Sequence, residues 1–177
     1  MRIPLFPALM YLSVVLFTGC AAQKSPMLTR GMTTIYVVRH AEKLTSDFDT
    51  PLSPAGELRA QALAEKLAEG GVQRIYATAR QRTQQTVRPL AERLGLGVVV
   101  LEPNAVDSLV QLIKKEDRGR VLLVAGHNNT VPSIVQGLSG QAVEPIPESV
   151  FDRLYRVELP AEGEGTVTLL HYGAPTP

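Results

Sequence analysis

The pattern of apolar and polar positions from residue 33 onwards predicts short buried strands that alternate with amphipathic helices. Apolar runs rich in β-branched residues predict a first strand at the start of segment 33–43 and further strands at 74–78, 98–101 and 120–124. Helices are expected from residue 53 to about 70, at 79–94, from 104 to about 116, and at 131–138. Two alternating runs, 154–159 and 166–172, follow as a hairpin. This order predicts an α/β fold with three α/β/α layers, a mostly parallel central sheet and a C-terminal antiparallel hairpin.

Local signals define where the helices begin and where one of them is interrupted. Ser53 is expected to cap the first helix, with Pro54 at its first helical position and Leu58 on its apolar face. Asn104 is expected to cap the third helix. Pro89 lies inside the second helix, and a kink or break is expected there because proline lacks an N–H donor.

Length, charge and cysteine content restrict the class of protein. A chain of 177 residues accommodates one domain with a sizeable core. Its 18 Lys and Arg residues nearly balance 17 Asp and Glu residues, so the formal net charge is +1, which argues against a nucleic-acid partner. The single cysteine excludes an intramolecular disulfide framework and a thiolate metal cluster. Any anion site must therefore come from the local arrangement of side chains.

The first residues have the parts of an export signal. Residues 1–19 combine a positive start, an apolar middle and small residues before Cys20, as a secretory signal peptide does. The small residues next to Cys20 resemble the bacterial lipobox, which implies that Cys20 becomes the lipidated first residue of the mature protein. Residues 20–31 would then be a tether and 32–177 the globular domain. By analogy with the sorting rule, Ala21 favours the periplasmic face of the outer membrane; a secreted protein without lipid, or an uncleaved anchor, is the alternative.

Basic side chains follow three of the predicted parallel strands. Arg39 and His40 come after the first strand, Arg80 and Arg82 after the second, and His127 after the fourth. Ligands of such sheets bind outside the carboxyl ends of the strands, so these side chains are expected to converge. Arginine forks hold phosphate oxygens, and a histidine can accept a phosphoryl group. The pattern therefore indicates phosphoryl chemistry, with His40 as the candidate nucleophile.

Four stretches carry these residues and their surroundings: VVRHAEK (37–43), PLSPAGELRAQALA (51–64), YATARQRTQQTV (76–87) and VAGHNNTVPSIV (124–135). In this order they resemble the signature blocks of the histidine phosphatase superfamily, which includes cofactor-dependent phosphoglycerate mutases and phosphohistidine phosphatases. Ala41 stands where the Arg-His-Gly signature usually has glycine. In the third stretch the family places its arginine four residues before a threonine, which selects Arg82 over Arg80. The resemblance covers nearly all of residues 33–172.

The resemblance implies a role for each phosphate-binding residue. His40 would attack phosphorus and form a phosphohistidine. Arg39, Arg82 and His127 would hold the phosphate oxygens. Apart from the resemblance, Asn128 is a candidate for a further backbone or amide donor to phosphate, with a role in the turn as the alternative. No metal or other cofactor is implied.

The resemblance also places the general acid in the loop after the third strand. Glu102 and Asp107 are the two choices there, and Glu102 is preferred because it directly follows the strand. Asp107 could instead serve the start of the third helix. A chain in which neither residue is the acid would suit substrates with good leaving groups, such as phosphohistidine.

The expected function is a metal-independent phosphomonoesterase acting on a small phosphorylated substrate; protein partners stay open. A mutase is disfavoured because the segments after the second and third strands are short. The alternative is a non-catalytic envelope lipoprotein that binds phosphate or a phosphoglycan. A zinc enzyme using His40, Glu42 and His127 is a third reading, which no HExxH spacing or cysteine ligand supports.

Overall fold

The structure, a computed structural model, describes residues 31–177. Its strands are β1 (Thr33–Arg39), β2 (Arg74–Thr78), β3 (Val98–Leu101), β4 (Val121–Gly126), β5 (Arg153–Leu159) and β6 (Thr166–His171). Its helices are α1 (Pro54–Leu67), α2 (Gln81–Leu94), α3 (Val106–Glu116) and α4 (Val131–Ser139). Within these residues, none of the helices has the length and apolarity needed to cross a bilayer. The expected signal peptide (1–19), Cys20 and all of the tether before Gly31 lie outside the described residues.

All strands join one sheet in the order β3-β2-β4-β1-β5-β6. Strands β1, β2, β3 and β4 are parallel to one another, whereas β5 runs antiparallel to β1 and β6 antiparallel to β5. The predicted fold class, a mostly parallel sheet with an antiparallel C-terminal hairpin, is confirmed. Strand β4 lies between β2 and β1, which agrees with its almost entirely apolar sequence.

Alternate residues of the central strands serve two separate cores. Leu122 of β4 belongs to a cluster that includes Ile113 of α3, whereas its neighbour Leu123 belongs to a cluster that includes Leu63 of α1. Successive side chains of a strand point to opposite faces of the sheet, so α3 and α4 cover one face and α1 and α2 the other. The buried sheet thereby holds the carboxyl ends of its parallel strands at one edge.

Three expectations about the helices are wrong. Helix α3 is capped by Ala105 and not by Asn104. Leu58 is 74% exposed. The buried side of α1 is formed by Gly56, Ala60 and residues one turn further on, and Leu58 lies on the opposite side of the helix. Of the kink or break expected at Pro89, the break is wrong, because helix α2 runs from Gln81 to Leu94 through the proline, and buried side chains on either side of it fix the helix against the sheet.

The start of α1 is packed tightly against the segment that follows β1. Ser53 caps the helix as predicted, because its side chain accepts a hydrogen bond from the Gly56 amide at 3.2 Å. The Ser53 amide in turn donates to the Glu42 carbonyl at 2.9 Å. A Cβ atom on Gly56 would lie only 2.2 Å from that same carbonyl oxygen. Only glycine therefore allows this close approach.

The substitution Gly56→Ala should destabilise the fold although alanine is the better helix former. The new methyl group would collide with backbone, and overpacking of this kind costs about 1–3 kcal/mol, whereas the helix-propensity gain is about 1 kcal/mol. We expect a lower urea midpoint with an unchanged slope. Gly97→Ala is the control, because a Cβ atom there meets nothing within 4 Å. Equal midpoints for the two variants would contradict the proposed collision.

Candidate active site

The parallel register of β1 and β4 places two histidines side by side. Arg39 at the end of β1 pairs with Gly126 at the end of β4, so His40 and His127 each stand one residue beyond their strands. The His40 amide donates to the Gly126 carbonyl at 2.9 Å. The two ring centroids are 5.4 Å apart with an angle of 65° between the ring planes. The two histidines therefore lie together at one edge of the sheet, as predicted.

The contacts of His40 determine which ring nitrogen is free to react. Its Nδ1 atom lies 2.7 Å from the Ala41 carbonyl oxygen. A carbonyl only accepts, so Nδ1 carries the proton of the neutral ring and the lone pair is on Nε2. Burial, followed by the charges of Arg39 and Arg82, lowers the pKa of His40 to about 3, although the Ala41 carbonyl acts in the opposite direction. His40 is therefore a neutral imidazole with an unprotonated Nε2 at neutral pH.

A chain of hydroxyl groups fixes the tautomer of His127. Its Nε2 atom lies 3.0 Å from Thr78 Oγ1, which lies 2.9 Å from Thr83 Oγ1. The Thr83 hydroxyl donates to the carbonyls of Thr78 and Arg80, so the Thr78 hydroxyl must donate to Thr83 and accept from His127 Nε2–H. Burial, followed by the charge of Arg82, lowers the pKa of His127 to about 4.

Arg39 is held by backbone carbonyls rather than by a carboxylate. Its Nη1 atom donates at 2.8 to 2.9 Å to three carbonyl oxygens, those of Pro147, Glu148 and Val150. Its guanidinium carbon lies 4.0 Å from the centre of the Phe151 ring. Burial lowers the pKa of Arg39 to about 10, a value at which the side chain is still a cation at neutral pH. The buried Nε–H group has no hydrogen-bond partner within residues 31–177.

Arg82 presents a second Nε–H group of the same kind. Its Nη1 atom donates to the Phe48 carbonyl at 2.8 Å, whereas its buried Nε atom has no hydrogen-bond partner in the described part of the chain. Burial, followed by the charge of Arg80, lowers the pKa of Arg82. A buried donor left unpaired costs about 1–3 kcal/mol, which an oxyanion ligand would recover. The charges of both arginines lower the pKa values of the two histidines, so the two guanidinium groups and the two rings lie near one another.

The donor set suits an oxyanion and does not suit a metal ion. Within residues 31–177, no three side chains of His, Cys, Asp or Glu lie close enough together to hold a metal. Glu42, the carboxylate of the zinc alternative, is already occupied, because Arg59 Nε donates to both of its oxygens at 2.9 and 3.0 Å. Guanidinium and imidazole groups without a carboxylate among them bind the non-bridging oxygens of a phosphoryl group.

Sequence comparison relates the part that contains three of these residues to a known family. Residues 35–103 match the sequence profile described as histidine phosphatase superfamily (branch 1). This part of the chain is therefore similar to that superfamily. Arg39, His40 and Arg82 lie within the matched histidine phosphatase region, and the sheet brings His127 to them from β4.

The curated relatives of the chain carry another name. The chain is 33% identical over 113 residues to a protein named probable phosphoglycerate mutase GpmB of Enterobacter sp. (strain 638), covering 54% of this chain and 51% of the relative. It is 28% identical over 116 residues to the protein of the same name from Yersinia enterocolitica, covering 51% and 54%. The chain thus spans about half the length of the curated relatives it matches.

Solved structures show the same fold across most of their length. The protein histidine phosphatase SixA complexed with tungstate superposes with a TM-score of 0.63 at 22% identity, covering 78% of this chain and 96% of SixA. Mycobacterial glucosyl-3-phosphoglycerate phosphatase superposes with a TM-score of 0.64 at 13% identity, covering 80% and 100%. At these identities the likeness concerns the fold.

The two candidate acids do not contact the site histidines. Glu102 is exposed directly after β3, and Asp107 is exposed in the first turn of α3. Within residues 31–177 neither side chain forms a hydrogen bond or ion pair with Arg39, Arg82 or the two site histidines. Strands β2 and β4 separate β3 from β1, which corresponds to about 14 Å at about 4.8 Å per strand.

The structure also gives the positions and contacts of other polar residues considered in the sequence. Asn128 is half-buried in the turn between β4 and α4. Arg80 stacks on Phe48 with its guanidinium carbon 3.9 Å from the ring centre. His171 is exposed and lies 3.0 Å from Asp152 through its Nδ1 atom. Glu42 pairs with buried Arg59 at 2.7 Å.

Sequence reasoning missed three contributors to the site. Thr78 is the last residue of β2, so the rule that ligands bind at strand ends could have found it. Thr86, seen only as part of a motif, accepts a hydrogen bond from the Ala41 amide at 2.9 Å and supports the turn after His40. Phe151 covers Arg39 from a loop more than a hundred positions away, and no local pattern marks it.

Acidification should destabilise the protein through both site histidines. Their folded pKa values, about 3 and about 4, lie below the ordinary 6.5, so the unfolded chain binds more protons below pH 6.5 and stability falls as pH falls. The loss is at most about 1.4 kcal/mol per pH unit for each histidine. Urea unfolding at pH 5 to 7 should show a smaller pH slope for His40→Gln/His127→Gln than for the wild type. Identical slopes would show that the site histidines are not held neutral.

Proposed function

We propose that the chain is a metal-independent phosphomonoesterase that hydrolyses a phosphate ester or a phosphohistidine through a phosphohistidine intermediate on His40. The observation that carries this proposal is the geometry of His40, whose Nδ1 proton is engaged by the Ala41 carbonyl at 2.7 Å. The nucleophilic lone pair is thereby on Nε2, beside two arginines with unpaired buried Nε–H groups.

The first chemical step transfers the phosphoryl group to His40. Nε2 attacks phosphorus in line, the N–P bond forms, and the bond from phosphorus to the leaving group breaks. The Nε–H groups of Arg39 and Arg82 bind non-bridging oxygens, and the positive charge of both side chains offsets the charge of the transition state. No reorganisation is needed for Arg39, because three carbonyls already fix its guanidinium group.

The second step returns the histidine to its starting state. Water attacks phosphorus and the N–P bond breaks. The electron pair of that bond returns to Nε2, and inorganic phosphate leaves. His127 would share the negative charge of the oxygens through a ring proton, because an anion nearby raises a histidine pKa. Asn128, in the turn after His127, would add an amide donor.

The proton that the leaving group needs limits the choice of substrate. Glu102 would act as the acid only on a leaving group that extends along the sheet edge towards β3, and Asp107 remains the second choice. A phosphohistidine, whose leaving nitrogen departs easily, would need neither carboxylate. The name of SixA, a protein histidine phosphatase, supports that substrate class. The name of the GpmB relatives supports a phosphoglycerate, and the short segments after β2 and β3 still argue against a mutase.

We also propose that Cys20 carries a lipid that anchors the protein in a bacterial cell envelope. The small residues before Cys20 and the apolar stretch before them support lipidation. The following Ala21 supports the periplasmic face of the outer membrane. A single acyl chain binds membranes only marginally, so stable anchoring requires more than one chain on this residue.

Replacement of the nucleophile should abolish phosphoryl transfer. His40→Ala in the full-length chain should lower the rate of aryl phosphate hydrolysis in chelator by at least about 1,000-fold, because no other group can form the covalent intermediate. Alkaline denaturing quench with labelled phosphate ester should trap a phosphoenzyme in the wild type only, because the N–P bond of phosphohistidine survives alkali but not acid. His171→Ala is the matched control, since this exposed histidine pairs with Asp152 outside the site.

Three results separate the competing functions. Wild-type activity that survives His40→Ala would remove His40 as nucleophile. Phosphate binding without any turnover would favour the non-catalytic binding protein. Loss of activity in chelator would favour a metal-dependent enzyme.

Replacement of the cysteine should detach the protein from the membrane. Cys20→Ala should move the chain from the detergent phase to the aqueous phase or leave it as an uncleaved precursor, because the acyl-acceptor thiol is gone. Mass spectrometry of the mature wild-type protein should show acyl chains on its first residue. An unmodified Cys20 within a mature membrane-bound protein would refute the lipid anchor.

A further inference from the structure

Both phenylalanines of the described region lie at the site rather than in the core. Of the four phenylalanines in the chain, Phe48 and Phe151 fall within residues 31–177, and each ring packs on an arginine, at 3.9 and 4.0 Å. Phe151 also lies 6.2 Å from the His40 ring. Phe48 is 75% exposed, whereas phenylalanine is ordinarily among the most buried residues. Packing of the fold does not explain the position of Phe48.

The loop that carries Phe48 is fastened to the first residues of α2. Asp49 accepts a hydrogen bond from the Gln81 amide at 2.8 Å, and its carbonyl accepts one from the Gln81 side chain at 2.9 Å. The Phe48 carbonyl accepts from Arg82, a phosphate-binding candidate, at 2.8 Å. These three hydrogen bonds, at the Phe48 carbonyl and at Asp49, fasten the chain directly after the Phe48 side chain to α2, next to Arg82 of the phosphate clamp.

Arg80 completes this aromatic surface and borders the same site. Its guanidinium group lies against the Phe48 ring, and Arg80 is the cap residue of α2, where the backbone is extended. The positive charge of Arg80 contributes to lowering the pKa values of both His127 and Arg82. A flat ring backed by a guanidinium group, with most of the ring exposed, is a stacking surface for another planar group.

We propose that Phe48 and Arg80 form a stacking platform for a planar ring in the leaving group of the substrate. The preferred substrates are therefore phosphomonoesters in which the phosphoryl group is attached to a flat ring system through a short spacer, as in a nucleoside monophosphate. The proposal rests on the proposed function in placing the phosphoryl group between Arg39, Arg82 and the two histidines. The ring then extends from that clamp over Phe48.

The platform can be tested by equilibrium binding, without turnover. Full-length His40→Asn in detergent is titrated calorimetrically with adenosine 5′-monophosphate and with ribose 5-phosphate, which differ only in the base. Stacking of one base on an aromatic side chain predicts that the nucleotide binds about 5- to 150-fold more tightly. Adding Phe48→Ala should remove this preference and leave ribose 5-phosphate binding unchanged, whereas adding Phe48→Tyr should retain it. Leu58→Ala is the control for loss of an exposed apolar side chain, since Leu58 is 74% exposed on α1.

Each outcome decides for or against the platform. A nucleotide preference that Phe48→Ala abolishes supports it. Equal binding of the two ligands, binding of neither, or a preference that survives Phe48→Ala overturns it. These results are independent of catalysis: a wild-type chain that forms phosphohistidine without preferring the nucleotide keeps the phosphatase and loses the platform. A preference in a chain that never forms phosphohistidine keeps the platform and loses the phosphatase.

Discussion

The parallel pairing of β1 with β4 determines where this chain can carry out chemistry. Arg39 opposite Gly126 is one register contact in a ladder, and a shift by one residue would reverse the face of every side chain in the strand. Buried apolar residues on both faces of the sheet prevent that shift. The two histidines therefore owe their separation of 5.4 Å to the hydrophobic cores beneath them. The relative positions of the two histidines are thus fixed by the register of the sheet.

A second constraint is how cations are stabilised beside an anion site. A carboxylate near Arg39 would neutralise it and compete with phosphate, yet an unsupported buried guanidinium would be expensive. Backbone carbonyls of the 147–150 segment solve this conflict, since they accept hydrogen bonds without adding a full negative charge. Glu42, the nearest carboxylate in sequence, pairs with Arg59 at 2.7 Å, and the charges of Glu148 and Glu42 oppose the effect of burial on the pKa of Arg39. Residues outside the donor set therefore contribute to the charge balance of the site.

The strands and most of the site could be predicted from sequence because their signals are local. Residues 74–78 form a strand with the predicted bounds, since an apolar run with β-branched residues favours an extended backbone. The cap of α1 by Ser53 could be predicted because a hydroxyl residue directly before proline is a strong signal for the start of a helix. Contacts between distant segments could not be predicted. The support of Arg39 by Phe151, the pairing of Glu42 with Arg59 and the stacking of Arg80 on Phe48 all depend on loop paths that only tertiary packing defines. The exposure of Leu58 could not be predicted for the same reason. Leucines occur on more than one side of α1, and only tertiary packing decides which side is buried.

The position of Arg59 links the timing of assembly to the order of synthesis. Besides Glu42, its Nη1 atom donates to the carbonyls of Tyr172 and Ala174 at 3.0 and 2.9 Å. The segment that follows His40 is thus braced by residues made more than a hundred positions later. While the chain is still emerging from a ribosome, His40 and Glu42 have been synthesised but the carbonyls that hold Arg59 have not. The last stretch of the polypeptide therefore completes the support of Arg59, and a nascent chain lacks it.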